Sequence, residues 1–107
     1  MDLKLNGQVG IVLGGASGIG LAIVHQMLAE GMRVVVSDLN QESLDAARSG
    51  LPSGGEHIGL LGDITNSENV RSIVGQTLEH FGKLQHVVVA AGAGSGKFGF
   101  PFWNLTP

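Results

Sequence analysis

The sequence predicts an α/β fold, a parallel sheet with helices on both faces, in the order β-α-β-α-β-α-β. Three observations carry this. Apolar runs of strand length alternate with longer stretches of helical period. The connections are long enough for crossover helices, and no hairpin signal joins one strand to the next. Right-handed crossovers then favour the strand order 3-2-1-4.

The first strand is Val9 to Leu13, a short run of the kind buried on both faces. A helix follows from Ser17 or Gly18, with Ile19, Ala22, Ile23 and Met27 at three- and four-residue steps until Glu30-Gly31, where the glycine can end it. Arg33 to Asp38 is β-branched and continuous, again a strand covered on both sides. Asn40 can cap a helix from Gln41 to about Ser49, Leu44 and Ala47 facing inward, and Gly50 and Pro52 stop it. His57 to Gly62 reads as the third strand, weakened by two glycines. Thr65-Asn66-Ser67-Glu68 matches a capping box, and Val70, Ile73, Val74, Leu78 and Phe81 form the apolar stripe of a third helix that ends at Gly82. Leu84 to Ala90 is the fourth strand, Gly92 to Lys97 a glycine-rich loop, and Phe98 to Pro107 has no clear period and reads as loop.

A length of 107 residues points to a single domain spanning 1–107, and a 43% hydrophobic share is that of a globular chain. The net charge of -3 and six scattered Lys and Arg leave no basic stripe, so nucleic acid is not an expected partner. No cysteine offers a disulfide or a thiolate ligand. The N-terminus lacks a charged-then-apolar leader, and no run is long enough to span a bilayer, so a cytoplasmic protein with no membrane partner is expected.

Glycine is the residue in excess, 18 of 107, and it is concentrated in LGGASGIG after the first strand. In a sheet of this order ligands bind outside the carboxyl ends of the strands, where the strand order reverses. A helix starting at Ser17 or Gly18 aims unpaired N–H groups and its positive dipole end at that crevice, which favours an anion. Gly14 can take the tight turn, while Gly18 and Gly20 admit a pyrophosphate and a neighbouring strand closer than a Cβ would allow. Ser17 and Ile19 complete this phosphate-binding set. Asp38 closes the second strand, where a carboxylate can accept from both ribose hydroxyls of adenosine and repel a 2′-phosphate. Leu39 follows in place of an arginine, so NAD is preferred over NADP.

These residues resemble the short-chain dehydrogenase/reductase family. Its cofactor signature, Thr-Gly-x-x-x-Gly-x-Gly, is matched from Gly14 through Gly18 to Gly20, with Leu13 where the family usually has Thr. The likeness continues at Asp38, at Gly62-Asp63-Ile64-Thr65, and at Val89-Ala90-Ala91-Gly92, which aligns with the family's Asn-Asn-Ala-Gly. It implies a Rossmann-type sheet, incomplete relative to the full family fold. It also implies an NAD(P)-dependent oxidoreductase that moves a hydride between the nicotinamide cofactor and an alcohol or carbonyl. Asp63 and Ile64 would then meet the adenine, and Ala90, Ala91 and Gly92 the nicotinamide-side ribose. Leu13, Val89 and Ala90 replace polar family residues that tie the first turn to the fourth strand. Contact between Leu13 and Val89 to Ala91 is therefore expected, with apolar packing in place of those hydrogen bonds.

The family's proton donor is a tyrosine in a Tyr-x-x-x-Lys frame, and this chain has no tyrosine, so no catalytic residue is assigned. The sequence looks like the cofactor-binding half of such an enzyme, expected to be inactive alone, with its small-molecule substrate unassigned. An expressed fragment or incompletely represented chain, a natural truncation, and a non-catalytic nucleotide-binding or regulatory module are the alternatives. A fourth strand rich in Val87-Val88-Val89 with an open edge predicts self-association or a homo-oligomer.

Three decoys fail on spacing. Gly92 to Lys97 imitates a triphosphate-binding loop, but that frame needs glycine at Ala91 and a hydroxyl at Phe98. His25, His57, His80 and His86 fall on separate elements, so no metal site is expected. Ser17 lacks the partners of a nucleophile. Asp63 has a competing use as a helix cap through Thr65.

Overall fold

Strands β1 (Val9–Leu13), β2 (Arg33–Asp38), β3 (His57–Leu61) and β4 (His86–Val89) alternate with helices α1 (Gly18–Ala29), α2 (Gln41–Ser49) and α3 (Ser67–Phe81). The computed structural model describes residues 5–52 and 56–90. The expected loops at Gly92 to Lys97 and Phe98 to Pro107 lie outside the described residues.

The strands form one parallel sheet in the order β3-β2-β1-β4, as the crossover argument requires. Register is direct: Leu13 lies beside Ser37 of β2 and Val89 of β4, and Asp38 beside Leu61 of β3. Alternate residues therefore face opposite sides. Val12, Val34 and Val36 pack with Val24, Met27 and Leu28 of α1 and Leu44 of α2. Ile11, Leu13 and Val35 face the other way, onto Ile73 of α3. This division follows from the path of the chain. The steps from β1 to β2 and from β2 to β3 run in one direction and put α1 and α2 on one face, whereas the return from β3 to β4 puts α3 on the other.

Every β1 residue is buried, and the four central residues of β2 with it, which explains the apolar run through Val34, Val35 and Val36; Ser37 is the buried polar exception. β4 has only β1 beside it among the described residues, and Val87 and Val89 stand 51% and 61% exposed.

Several boundaries differ from the sequence reading. The third helix is capped by Asn66, not by a Thr65 box: the Asn66 side chain accepts from the N–H groups of Glu68 and Asn69 at 2.9 and 3.2 Å. Thr65 is unavailable because its N–H and hydroxyl both donate to Asp63. On α3 the buried line runs through Ile73 and Thr77, while Leu78 is 46% exposed. Thr77 tolerates burial because its hydroxyl donates to the Ile73 carbonyl at 2.7 Å. The third strand ends at Leu61 rather than Gly62, and the fourth runs His86–Val89 rather than Leu84 to Ala90. At its start the Val9 N–H bonds the Gln85 side chain, so a side-chain amide stands where a ladder carbonyl would. Leu84 instead packs beneath α3.

Candidate cofactor-binding site

The turn after β1 hangs from the end of β2. Gly14 takes a left-handed φ of 83°, open to glycine at no steric cost, and the N–H groups of Gly14 and Gly15 both donate to the Ser37 carbonyl at 2.8 and 3.0 Å. Ala16 N–H donates to Asp38 Oδ2 at 3.1 Å. The chain then passes through extended Ser17 into α1, where a Cβ on Gly20 would run into the Gly14 carbonyl oxygen. Gly20 thus lets the helix start lie directly on the turn. Gly18, at φ 55°, has open space where its Cβ would be.

The three helix starts differ in how their orphan donors are met. Asn40 caps α2 by accepting from Ser43 N–H at 3.0 Å, Asn66 caps α3, and each helix has a glutamate in its first turn. In α1 the Ser17 side chain makes no cap and the first turn holds no acid. Its earliest backbone bond runs from Leu21 N–H to the Ser17 carbonyl at 3.3 Å. Among the described residues, the N–H groups of Ser17, Gly18, Ile19 and Gly20 therefore have no acceptor. Ser17, Gly18 and Ile19 are exposed and Gly20 is buried; with the positive end of the helix dipole, the exposed amides make a shelf, a ready seat for an anion.

Gly14 takes the tight turn its place in the motif suggested. Its N–H is already engaged by Ser37, so it shapes the turn and leaves donation to the residues after it.

Asp38 stands beside this shelf. Oδ1 accepts from Leu39 N–H at 2.8 Å and Oδ2 from Ala16. A carboxylate oxygen has two acceptor positions, so each still has one for an incoming hydroxyl. Asp63 and Ile64 follow β3 at the same sheet edge. Asp63 Oδ1 takes the Thr65 hydroxyl at 2.7 Å and the Thr65 N–H at 2.9 Å, and these bonds hold its carboxyl below the usual carboxylate range. Its use as a helix cap through Thr65 is thereby replaced by a local turn ahead of Asn66. Ile19, Leu39 and Leu61 leave 76%, 67% and 53% of their surface exposed at this same edge, an apolar rim suited to flat rings. Ala90 N–H bonds the Leu13 carbonyl at 2.8 Å, so the expected contact between the first turn and the fourth strand is present as a backbone bond. Ala91 and Gly92 lie outside the described residues.

Two hollows of about 380 and 370 Å³ lie elsewhere, one between β3 and α3 beside Ile58 and His80, the other by Asn6 and Gly31. Neither touches the glycine turn, which is an open shelf. His57 is pushed below the ordinary histidine value by burial and by the nearby Arg48 guanidinium, and His86 Nε2 lies 2.6 Å from Gln8 Oε1 at the far end of the sheet. No cluster of three or more metal-ligating side chains occurs among the described residues.

The family model described as short chain dehydrogenase matches residues 8–103. The chain belongs to the short-chain dehydrogenase family. It is 40% identical over 104 residues to a peroxisomal 2,4-dienoyl-CoA reductase of Arabidopsis thaliana, a match covering 96% of this chain and 34% of the relative. Among solved structures, a short chain dehydrogenase from Mycobacterium smegmatis superposes with a TM-score of 0.77 at 34% identity, covering 82% of this chain and 37% of that one. An NAD+-bound xylitol dehydrogenase does so with 0.74 at 32%, covering 78% and 33%. The chain spans about a third of the length of the curated relatives it matches. No helix among the described residues is long and apolar enough to cross a membrane.

Two contributors to this short-chain dehydrogenase edge escape sequence reading. The Ser37 carbonyl is a main-chain group that no pattern marks. Asn69 accepts from Asp63 N–H at 3.0 Å and steadies the loop after β3, yet in sequence it is one more polar residue of a helix.

Proposed function

We propose that this chain supplies the cofactor grip of a nicotinamide-dinucleotide-dependent oxidoreductase that interconverts an alcohol and a carbonyl, with NAD preferred over NADP. The carrying observation is the uncapped, acid-free start of α1 beside Gly18, where four N–H groups have no acceptor among the described residues and a Cβ's worth of space is open. The amides of Ser17, Gly18, Ile19 and Gly20 hold the diphosphate, with Gly14 setting the turn. Asp38 accepts from the adenosine ribose hydroxyls and its charge repels a 2′-phosphate. Leu39, Asp63 and Ile64 border the adenine, and Ala90 with Ala91 and Gly92 borders the nicotinamide-side ribose.

When bound, the nicotinamide ring supplies or takes up the hydride. The residues of this chain bind and orient it, and none of them is assigned the proton transfer. Val87 and Val89 form the surface through which the chain associates with another copy, because an open apolar strand edge invites pairing. A small-molecule alcohol or carbonyl is the substrate class, and the cytoplasm is the proposed location.

The test is fluorescence titration with NADH and NADPH. NADH is expected to bind more tightly. Equal affinity would remove the ribose role of Asp38, and binding of neither would remove the reading as a whole.

A further inference from the structure

One residue joins all three loops at this sheet edge. Asp38 Oδ2 accepts from Ala16 N–H in the loop after β1 at 3.1 Å, and Oδ1 from Leu39 N–H in the loop after β2 at 2.8 Å. Its backbone carbonyl accepts from Gly62 N–H in the loop after β3 at 3.0 Å. The Ala16 bond is the only one of the three that fastens a side chain to the glycine turn. It completes a row in which the successive amides of Gly14, Gly15 and Ala16 all end on Ser37 and Asp38. With those three amides turned toward β2, the amides from Ser17 onward are left for a ligand.

We propose that Asp38 is a positioning residue for the diphosphate seat: its carboxylate locks the glycine turn before any cofactor arrives. The inference deepens the reading of this edge as a dinucleotide site and rests on it. A charge-assisted bond to a backbone amide is among the stronger hydrogen bonds, and ordering the turn in advance lowers the cost of binding. The proposal sets two effects of Asp38 against each other. As a bare negative charge beside a diphosphate it would weaken binding, and its removal would tighten it. As the anchor of the turn it strengthens binding, and its removal loosens the seat.

Amide hydrogen exchange of the unliganded chain reads the anchor directly. In Asp38→Ala the Ala16 amide is expected to exchange about 10- to 100-fold faster, the loss of one hydrogen bond to a charged acceptor. Gly62, bonded to the main-chain carbonyl, and Val12 in the core are expected to keep their rates. Asp38→Asn retains one side-chain oxygen acceptor and is expected to recover part of the Ala16 protection. Unchanged exchange at Ala16, or faster exchange at Ala16, Gly62 and Val12 alike, overturns the proposal.

The second arm measures affinity for 2′,3′-dideoxyadenosine diphosphate, which carries the diphosphate but neither ribose hydroxyl. Asp38→Ala is expected to bind it several-fold more weakly than the unaltered chain, and equal or tighter binding overturns the proposal. If the unaltered chain binds neither this probe nor ADP, the dinucleotide reading fails, and the exchange rates still decide the anchor.

Discussion

Replacing Gly20 with alanine sets two rules against each other. In an exposed helix, Gly→Ala stabilises by about 0.8–1 kcal/mol, because alanine has less backbone freedom to lose. At Gly20 the new methyl would overlap the carbonyl oxygen of Gly14 and lie 2.9 Å from Gly14 C and 3.1 Å from Gly15 Cα. All three are main-chain atoms that cannot swing aside as a side chain would. Forcing such an insertion costs typically about 1–3 kcal/mol, here toward the upper end because α1 must lift off the turn. The net expectation is a loss of about 1–2 kcal/mol, which at an m-value of about 2 kcal/mol/M lowers the urea midpoint by roughly 0.5–1 M. Gly75→Ala is the control. Gly75 is exposed in α3 with nothing within 4 Å of a Cβ, so alanine there is expected to raise stability by about 1 kcal/mol. Urea denaturation of both variants gives the comparison. A Gly20→Ala chain as stable as the parent would refute the claim that helix and turn meet without room for a methyl.

Four further outcomes follow from the geometry. Asn66→Ala is expected to cost about 1 kcal/mol in a urea titration, through loss of the α3 cap, and Thr65→Ala distinctly less. NMR titration of Thr65→Ala should show Asp63 rising only part of the way to the usual carboxylate range, since the variant loses the hydroxyl bond, the larger cause, and keeps the backbone N–H bond. His57 is depressed in the folded chain, so the unfolded chain takes up the proton first; stability is expected to fall as pH drops from about 6.5 and to level off below the folded value. His57→Gln should show a shallower loss over that window, and an identical slope would count against it. Val89→Lys, a charge on the exposed edge, is expected to reduce self-association in sedimentation, and an unchanged profile would contradict the edge as the contact.

The parts of the fold legible in sequence are those set by local rules. Val9–Leu13 and Arg33–Asp38 read correctly because burial on both faces leaves an apolar run at the centre of each, and Asn40 because a single residue makes its cap. The misplaced cap at Thr65 has a local cause that residue types alone do not decide: its hydroxyl had two possible partners, and Asp63, held by Asn69, won it. Leu78 was assigned inward by periodicity alone, which cannot say that a bonded threonine takes the inner line. At the site, the glycine spacing and Asp38 were readable. That the amides of Gly14 and Gly15 are both taken by Ser37 was not, because it depends on where the Ser37 carbonyl points.

The central claim is that free N–H groups at the start of α1 receive a diphosphate. Amide chemical-shift mapping during titration with ADP tests it most directly. Saturable shifts are expected to be largest at Ser17, Gly18, Ile19 and Gly20, with the first turns of α2 and α3, already capped by Asn40 and Asn66, nearly silent. Saturable shifts centred on either capped helix, or none at the four amides of α1, would contradict it.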